Sequence, residues 1–456
     1  MSKTLDLSEF SEITSKAWKQ KIQFELKGAD YNQTMLWESL EGIHVKPFYH
    51  FDEDKKTEVS FSKPTDAWKI VDTFFVKSEK LSRKNILKSI ENGSTAIRLQ
   101  ADEPFDIEII FSGFPFEEVT VFCQFSFFDL IFIERLIQFF KLKKANFFLN
   151  LDPIGRLMSD GNWFENEAKD FENLKGLLSS HPDQKLLCID VMTCQQAGAN
   201  SVEQLAFAMA HLNEYFNQFS NLCSAAVNIQ FAVGGNYFFE IAKLRAFRIL
   251  YASLANEYGF PETCHIFAVP SLRNKTIYDY NVNMLRTTTE CMSAVLGTAD
   301  AVCNLPYDAL FHKENEFGHR IARNQLLILK NESFFDAVSN LADGSYYIES
   351  VTTQLAEKAL LLFKEIERKG GFIKQLKNGF IQKKVTESHQ KEQKLYDLHR
   401  EILVGTTRYT NPEDQMKENL ELFPFLKTKP RKTLINPIIP KRVSESVEQE
   451  RLTFEK

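Results

Sequence analysis

Ala226-Val-Asn-Ile-Gln-Phe-Ala-Val233 is followed by Gly234-Gly235 and then by Asn236 to Tyr258, where Phe238, Ile241, Ala242, Arg245, Ile249 and Ala252 recur at three- and four-residue steps. An apolar run of strand length, a glycine pair and a segment of helical period read as strand, tight turn and helix. The same unit recurs outward in both directions. Seven further runs suit strands: Lys69–Val76, Ser94–Gln100, Val119–Phe125, Asn146–Asp152, Lys185–Met192, His265–Pro270 and Ala301–Leu305. Helical spacing falls between them over Phe127 to Lys143, Ser201 to Phe219, Asp279 to Leu296 and Phe317 to Leu329. Eight strand–helix units predict an α/β fold of the (β/α)8 TIM type, with the loops after the strands sharing one face. A ninth apolar run, Asp106 to Phe111, falls inside the second crossover. The competing doubly wound sheet lacks a Gly-rich phosphate turn after its first strand.

Composition is consistent with a large core. The chain has 456 residues, 44% apolar and 25% charged, with a formal charge of −6. So mild a charge gives no field for nucleic acid or a membrane surface. Val119 to Phe140 is the most hydrophobic stretch, but Gln124, Asp129, Glu134, Arg135 and Gln138 interrupt it, which favours a buried strand and core helix over a membrane span. The N-terminus shows no basic start followed by an apolar core, so no secretory signal is expected. Seven cysteines with no C-x-x-C spacing predict buried thiols and a reducing cytoplasm. No paired histidines stand on a carboxylate-bearing helix, so no metal site is expected.

Two extensions flank the predicted barrel at 67–335. Residues 1–66 form an arm rich in aromatics, with Trp18, Trp37, Phe48 and Tyr49 as candidate partner contacts. An arm too short for its own core packs either on a partner or on this chain's own barrel. Residues 336–456 form a helical and extended tail. In it, Leu355 to Lys377 reads as a helix bent at Gly370-Gly371, and Thr386 to Ile402 as a charged helix. The basic, Pro-rich stretches 427–432 and 436–442 read as a solvated linker. Lys243, Arg245 and Arg248 are expected on the outer face of their helix, and Gly234-Gly235 is read as a turn in preference to an anion site.

Several motifs, in order, carry a resemblance to a known family. They include Thr34-Met-Leu-Trp-Glu-Ser-Leu-Glu-Gly-Ile-His-Val-Lys-Pro-Phe-Tyr49, Asp152-Pro-Ile-Gly155, Val191-Met-Thr-Cys-Gln-Gln-Ala-Gly-Ala199 and Phe239-Glu-Ile-Ala-Lys-Leu-Arg-Ala246. Leu285-Arg-Thr-Thr-Thr-Glu-Cys-Met-Ser-Ala-Val-Leu-Gly297 and Gly344-Ser-Tyr-Tyr-Ile-Glu349 follow. From about residue 18 to 410 the chain resembles the methylmalonyl-CoA mutase family, and Asp-Pro-Ile-Gly resembles the turn of its smaller, non-catalytic chains.

That resemblance implies isomerisation of methylmalonyl-CoA to succinyl-CoA with adenosylcobalamin, a cofactor that carries the radical chemistry while protein orients and shields it. It also implies which parts are gone. Thr193 stands at the family's catalytic His, and a hydroxyl cannot serve as a cation or acid near neutral pH. The family's Pro-Tyr-x-Thr-Met-Tyr segment has no counterpart between His50 and Trp68. Its sixth-strand Arg corresponds to about Ala226, a neighbouring Ser to Asn228, and His-x-Gln of the seventh-strand loop to Phe267-Ala-Val269. Asp397-Leu-His399 mimics the cobalt-ligand motif with its Gly displaced, and His399 is read as a surface-helix residue. The expectation is therefore a small subunit with no catalytic residue, no bound cofactor and no cobalamin domain. It would stabilise a cobalamin-bearing large subunit that holds the adenosylcobalamin. The alternative is the substrate-binding half of a split mutase whose cobalamin domain is a separate polypeptide. If Asn228 and Gln230 point inward beside Asn150 and Asp152, polar side chains fill the barrel axis.

Overall fold

The computed structural model describes residues 9, 12–53, 67–220, 222, 224–338, 340–426 and 430–455. The arm contains α1 (Ser15–Glu25), α2 (Tyr31–Met35) and a short antiparallel pair, β1 (Trp37–Glu38) and β2 (His44–Val45). The barrel follows as β3 (Lys69–Phe75), α3 (Glu79–Glu91), β4 (Ala96–Ala101), α4 (Ile107–Ile110), β5 (Thr120–Phe125), α5 (Leu130–Leu142) and β6 (Phe147–Leu151). It continues through α6 (Pro153–Asp160), α7 (Glu167–Ser180), β7 (Lys185–Asp190), α8 (Met192–Ala197), α9 (Ser201–Phe219), β8 (Asn228–Val233) and α10 (Tyr237–Tyr258). Then come β9 (His265–Pro270), α11 (Val282–Leu296), β10 (Ala301–Cys303) and α12 (Glu316–Asn331). The tail holds α13 (Tyr346–Arg368), α14 (Phe372–Lys377), α15 (Phe380–Asp397) and α16 (Glu445–Phe454).

All eight barrel strands are parallel and close in the order β10-β3-β4-β5-β6-β7-β8-β9. Each corresponds to a run read from the sequence, and the ninth run forms the helical turn α4. The strands are buried on both faces, inward against each other and outward against the helices, as an all-parallel barrel requires. The outer core joins Ile70, Ile97, Val121, Leu149, Ile189, Ile229 and Ile266 to α5, α9 and α10. A second, inner cluster collects Val71, Phe122, Phe148, Phe267 and Cys303.

Two expectations about surface charge fail. Lys243, Arg245 and Arg248 are all buried. Lys243 pairs with Glu240 and reaches Ala232 O, Arg245 holds Asp343 and Glu349, and Arg248 binds Asp300 at 2.8 Å. A buried guanidinium is tolerated only with such partners, and α13 and the loop before it supply those of Arg245. Of the two basic, Pro-rich stretches, 430–432 is exposed and 427–429 lies outside the described residues, but 436–442 is not a solvated linker. Ile435, Ile438, Arg442 and Val443 are buried, and the segment hydrogen-bonds to barrel loops as described below. Six cysteines are free and buried; Cys223 lies outside the described residues. No described helix is long and apolar enough to cross a membrane.

Candidate functional site

The C-terminal ends of the strands form the face where barrels of this type carry their sites. After β6, Asp152 caps α6 with Pro153 at its first position, accepting from Gly155 N at 2.9 Å. A Cβ on residue 155 would lie 2.7 Å from the Asp152 carboxyl carbon, so the Asp-Pro-Ile-Gly turn needs its glycine. The same carboxylate accepts from Tyr215 OH at 2.7 Å and Asp190 N at 2.9 Å, and lies 2.8 Å from His211 Nε2. Burial pushes the Asp152 carboxyl up, but His211 and these donors outweigh it and hold it below its ordinary value. Asp152 therefore binds β6 to α9 and does not enter the axis.

Thr193 opens α8, directly after β7, and is buried. Its hydroxyl donates to Asp190 Oδ2 at 3.1 Å, and Met192 N donates to Asp190 Oδ1 at 2.8 Å. Burial, then the Asp152 charge, raises the Asp190 carboxyl above its usual range. The hydroxyl is thus spent locally as a donor to Asp190, whose Oδ1 accepts from the first N–H of α8. At Gly198 φ is +113° and a Cβ would meet His389 Cβ at 2.7 Å, so the turn after α8 admits only glycine against α15. The segment missing its Tyr, between His50 and Trp68, lies largely outside the described residues.

The axis is full. Phe122 and Phe148 stack at 4.8 Å, Phe267 meets Phe122 edge-on at 4.9 Å, and His265 lies 4.4 Å from Phe148. Arg98 lies over Phe267 and hydrogen-bonds Gln124. Asn228 points inward, donating to Asn150 Oδ1 at 2.7 Å, and its own Oδ1 faces His265 Nδ1 at 2.7 Å. Gln230 is wholly buried. The polar residues named from the sequence do enter the axis, except Asp152, but aromatic rings occupy more of it. Burial pushes His265 down to about 4, which keeps it neutral at physiological pH.

Hollows remain above this plug, two of which border the residues just described. One, of about 460 Å³, lies over the loops after β7, β8 and β9, between Gln195, Ser271, Arg273 and the residues of α15. Its walls are paired among themselves: Ser271 donates to Gln195, and Arg273 binds Glu392 and Lys441 O and contacts His389 Nδ1. Gly234 N donates to Glu240 Oε1 at 2.9 Å, so the glycine turn is satisfied by its own helix. The other hollow, of about 260 Å³, lies over the ends of β4 to β7.

The chain's own tail crosses this face. Ile435 N donates to Gly161 O, Ile438 N to Met158 O, Lys441 N to Gln196 O and Val443 N to Arg273 O. Arg442 binds Glu448 at 2.7 Å, and both are buried. His399 is exposed in a left-handed turn just past α15, a surface position outside the helix itself. The only sheet among the described residues besides the barrel is the β1–β2 hairpin. Neither the exposed His399 nor the two-stranded hairpin fits the holding of a corrin.

Of the four candidate contact residues, Trp18 and Phe48 touch each other, and Trp37 and Tyr49 pack on the chain's own helices. Trp18 packs edge-on against Phe48 within the arm, Trp37 against Phe239 of α10, and Tyr49 against Tyr347 of α13. Trp18 is 47% and Trp37 51% exposed. Helix α1 has no buried residue, and Phe24 on it is 79% exposed.

Residues 91–450 match the family described as methylmalonyl-CoA mutase. The chain is 29% identical over 444 residues to the methylmalonyl-CoA mutase small subunit of Porphyromonas gingivalis, covering 89% of this chain and 71% of that one. Against the small subunit of Propionibacterium freudenreichii subsp. shermanii it is 29% identical, covering 81% of this chain and 65% of that one. The large subunit from P. gingivalis is also 29% identical, but over only 50% of this chain and 33% of its own length.

Proposed function

The chain belongs to the methylmalonyl-CoA mutase family, and from that premise we propose that it is the small, non-catalytic subunit of a heterodimer that isomerises methylmalonyl-CoA to succinyl-CoA. Its partner is a large subunit that carries both the active site and the adenosylcobalamin. The observation that carries this reading is the filled axis. Phe122, Phe148, Phe267 and His265 occupy the line along which an acyl-CoA arm would thread. Thr193, bound to Asp190, offers no acid or cation in place of an imidazole. Two further observations support a structural role. Two relatives named small subunit are matched over 89% and 81% of this chain, and α1 leaves Phe24 in solvent and Trp18 half exposed. On this reading the adenosylcobalamin supplies the radical chemistry in the partner, and residues here supply a folded surface.

The test is reconstitution. The full chain mixed with its purified large subunit should co-elute, and its melting temperature should rise. Alone, it should neither bind methylmalonyl-CoA nor turn it over when adenosylcobalamin is added. The rival reading, a substrate-binding half of a split mutase, draws on the two polar hollows that persist on the C-terminal face. Acyl-CoA binding by the isolated chain, with turnover on adding a separate cobalamin domain, would establish the rival and remove the proposal.

A further inference from the structure

Three observations meet at Asn150. It has φ +48° inside β6, a left-handed conformation that costs a residue with a side chain about 1 kcal/mol or more. The β6–β7 register shifts between Phe148 and Leu151, and an irregularity of this kind re-aims a side chain. The carboxamide is 8% exposed, lines the smaller hollow, and its Nδ2 has no partner. Two strands along, Gln230 is wholly buried with neither polar atom partnered, in register with Asp190 of the same hollow. An unsatisfied buried amide costs about 1–3 kcal/mol, and native folds rarely keep several in one place without a use.

We propose that the hollow over β4 to β7 is a binding site for a small uncharged molecule bearing hydroxyl or carboxamide groups, held by Asn150 and Asp190 of its lining. Charge selects neutrality. Asp102, Asp152, Asp190 and Arg156 all line the hollow and Arg98 acts on Asp190 from outside the lining, so an anion meets carboxylates and a cation meets guanidinium groups. Donor and acceptor are both needed. Asn150 Nδ2 requires an acceptor oxygen, whereas the Asp190 carboxylate accepts from O–H or N–H. Size limits the ligand to a fragment. About 260 Å³ is below the usual range for a drug-sized site, and the phenyl rings beneath prevent extension down the axis. The site belongs to this chain alone, so its occupancy is read without the large subunit, and its failure would leave the partner proposal standing.

Glycerol and acetamide serve as probes on the full chain, followed by ligand-observed NMR and by crystals soaked in each. At least one probe should bind with a millimolar Kd and appear in contact with Asn150. Asn150→Gly removes the amide and relieves the positive φ, at the loss of the acceptor for Asn228 Nδ2; Gln230→Leu, at a buried residue outside the lining, is the control. Asn150→Gly should weaken the probe at least tenfold in a chain that still melts cooperatively, and Gln230→Leu should leave the affinity unchanged. Density showing ordered water alone, or equal affinity in wild type and Asn150→Gly, would overturn the proposal.

Discussion

The arm and the tail both lie outside the barrel, yet only one of them is anchored along its length. Residues 435–443 donate backbone hydrogen bonds to loops after β6, β7 and β9, and bury Ile435, Ile438 and the Arg442–Glu448 pair. In the arm, Ile43 and Tyr31 are buried and Trp37 rests on Phe239, but α1 buries nothing. A helix gains most of its stability from packing one apolar face. With Trp18 and Phe24 in solvent, α1 lacks that gain within this chain. The tail is finished by the chain itself; the first helix of the arm is not.

The largest effect should come from breaking the anchored side. Arg442→Ala leaves Glu448, wholly buried, without its cation, and Pro424 O and Lys275 O without their donor. Removing one member of a buried pair costs about 3–5 kcal/mol, read as a lower urea midpoint. A loss under about 1 kcal/mol would mean that the tail is only draped over the barrel.

A pH-dependent effect comes next, at the seam between barrel and tail. Glu203 accepts from Ser388 Oγ of α15 at 2.7 Å and from Asn200 N at 3.2 Å. Burial pushes its carboxyl up to about 7, so the folded state takes a proton that the unfolded chain releases near 4.5. Its contribution is therefore present in full below the unfolded value and is lost as pH rises through about 7, a change of up to about 3 kcal/mol. His265, pushed down to about 4, works in the opposite direction, favouring the fold above its unfolded value of 6.5. Glu203→Gln should remove the alkaline loss and expose the histidine's rising slope. Parallel stability–pH curves for wild type and variant would refute this assignment of the seam.

The sequence made the barrel legible because eight apolar runs alternate with helical period, and each found its place within a few residues. The contents of the axis were harder to read. Strands buried on both faces carry no inward–outward alternation in their hydropathy, so Phe122, Phe148 and Phe267 were indistinguishable from outward-facing neighbours. Thr193, where the resemblance implies a His, was visible as a letter; its hydrogen bond to Asp190 was not. Lys243, Arg245 and Arg248 misled because their partners lie at Glu240, Ala232, Asp343, Glu349 and Asp300, mostly far along the chain. The left-handed backbone of Asn150 has no signal in composition, since Asn adopts both that conformation and ordinary strand geometry.

The smallest effect on the isolated chain should fall on the unanchored side, and there the comparison is sharpest. Trp18 touches Phe48 at 6.2 Å and is otherwise turned to solvent. Trp18→Ala should shift stability by no more than about 0.5 kcal/mol, as surface substitutions do. If the proposed large subunit covers α1, the same change should weaken association by about 2 kcal/mol or more, some thirtyfold, because buried tryptophans dominate interface energies. Trp37→Ala provides the contrast: its ring rests on Phe239, so stability should fall by more than for Trp18→Ala. Titration calorimetry with the large subunit separates the two. Unchanged affinity for Trp18→Ala would assign the exposed helix to no partner face, and the proposed heterodimer would then have to form through the barrel helices alone.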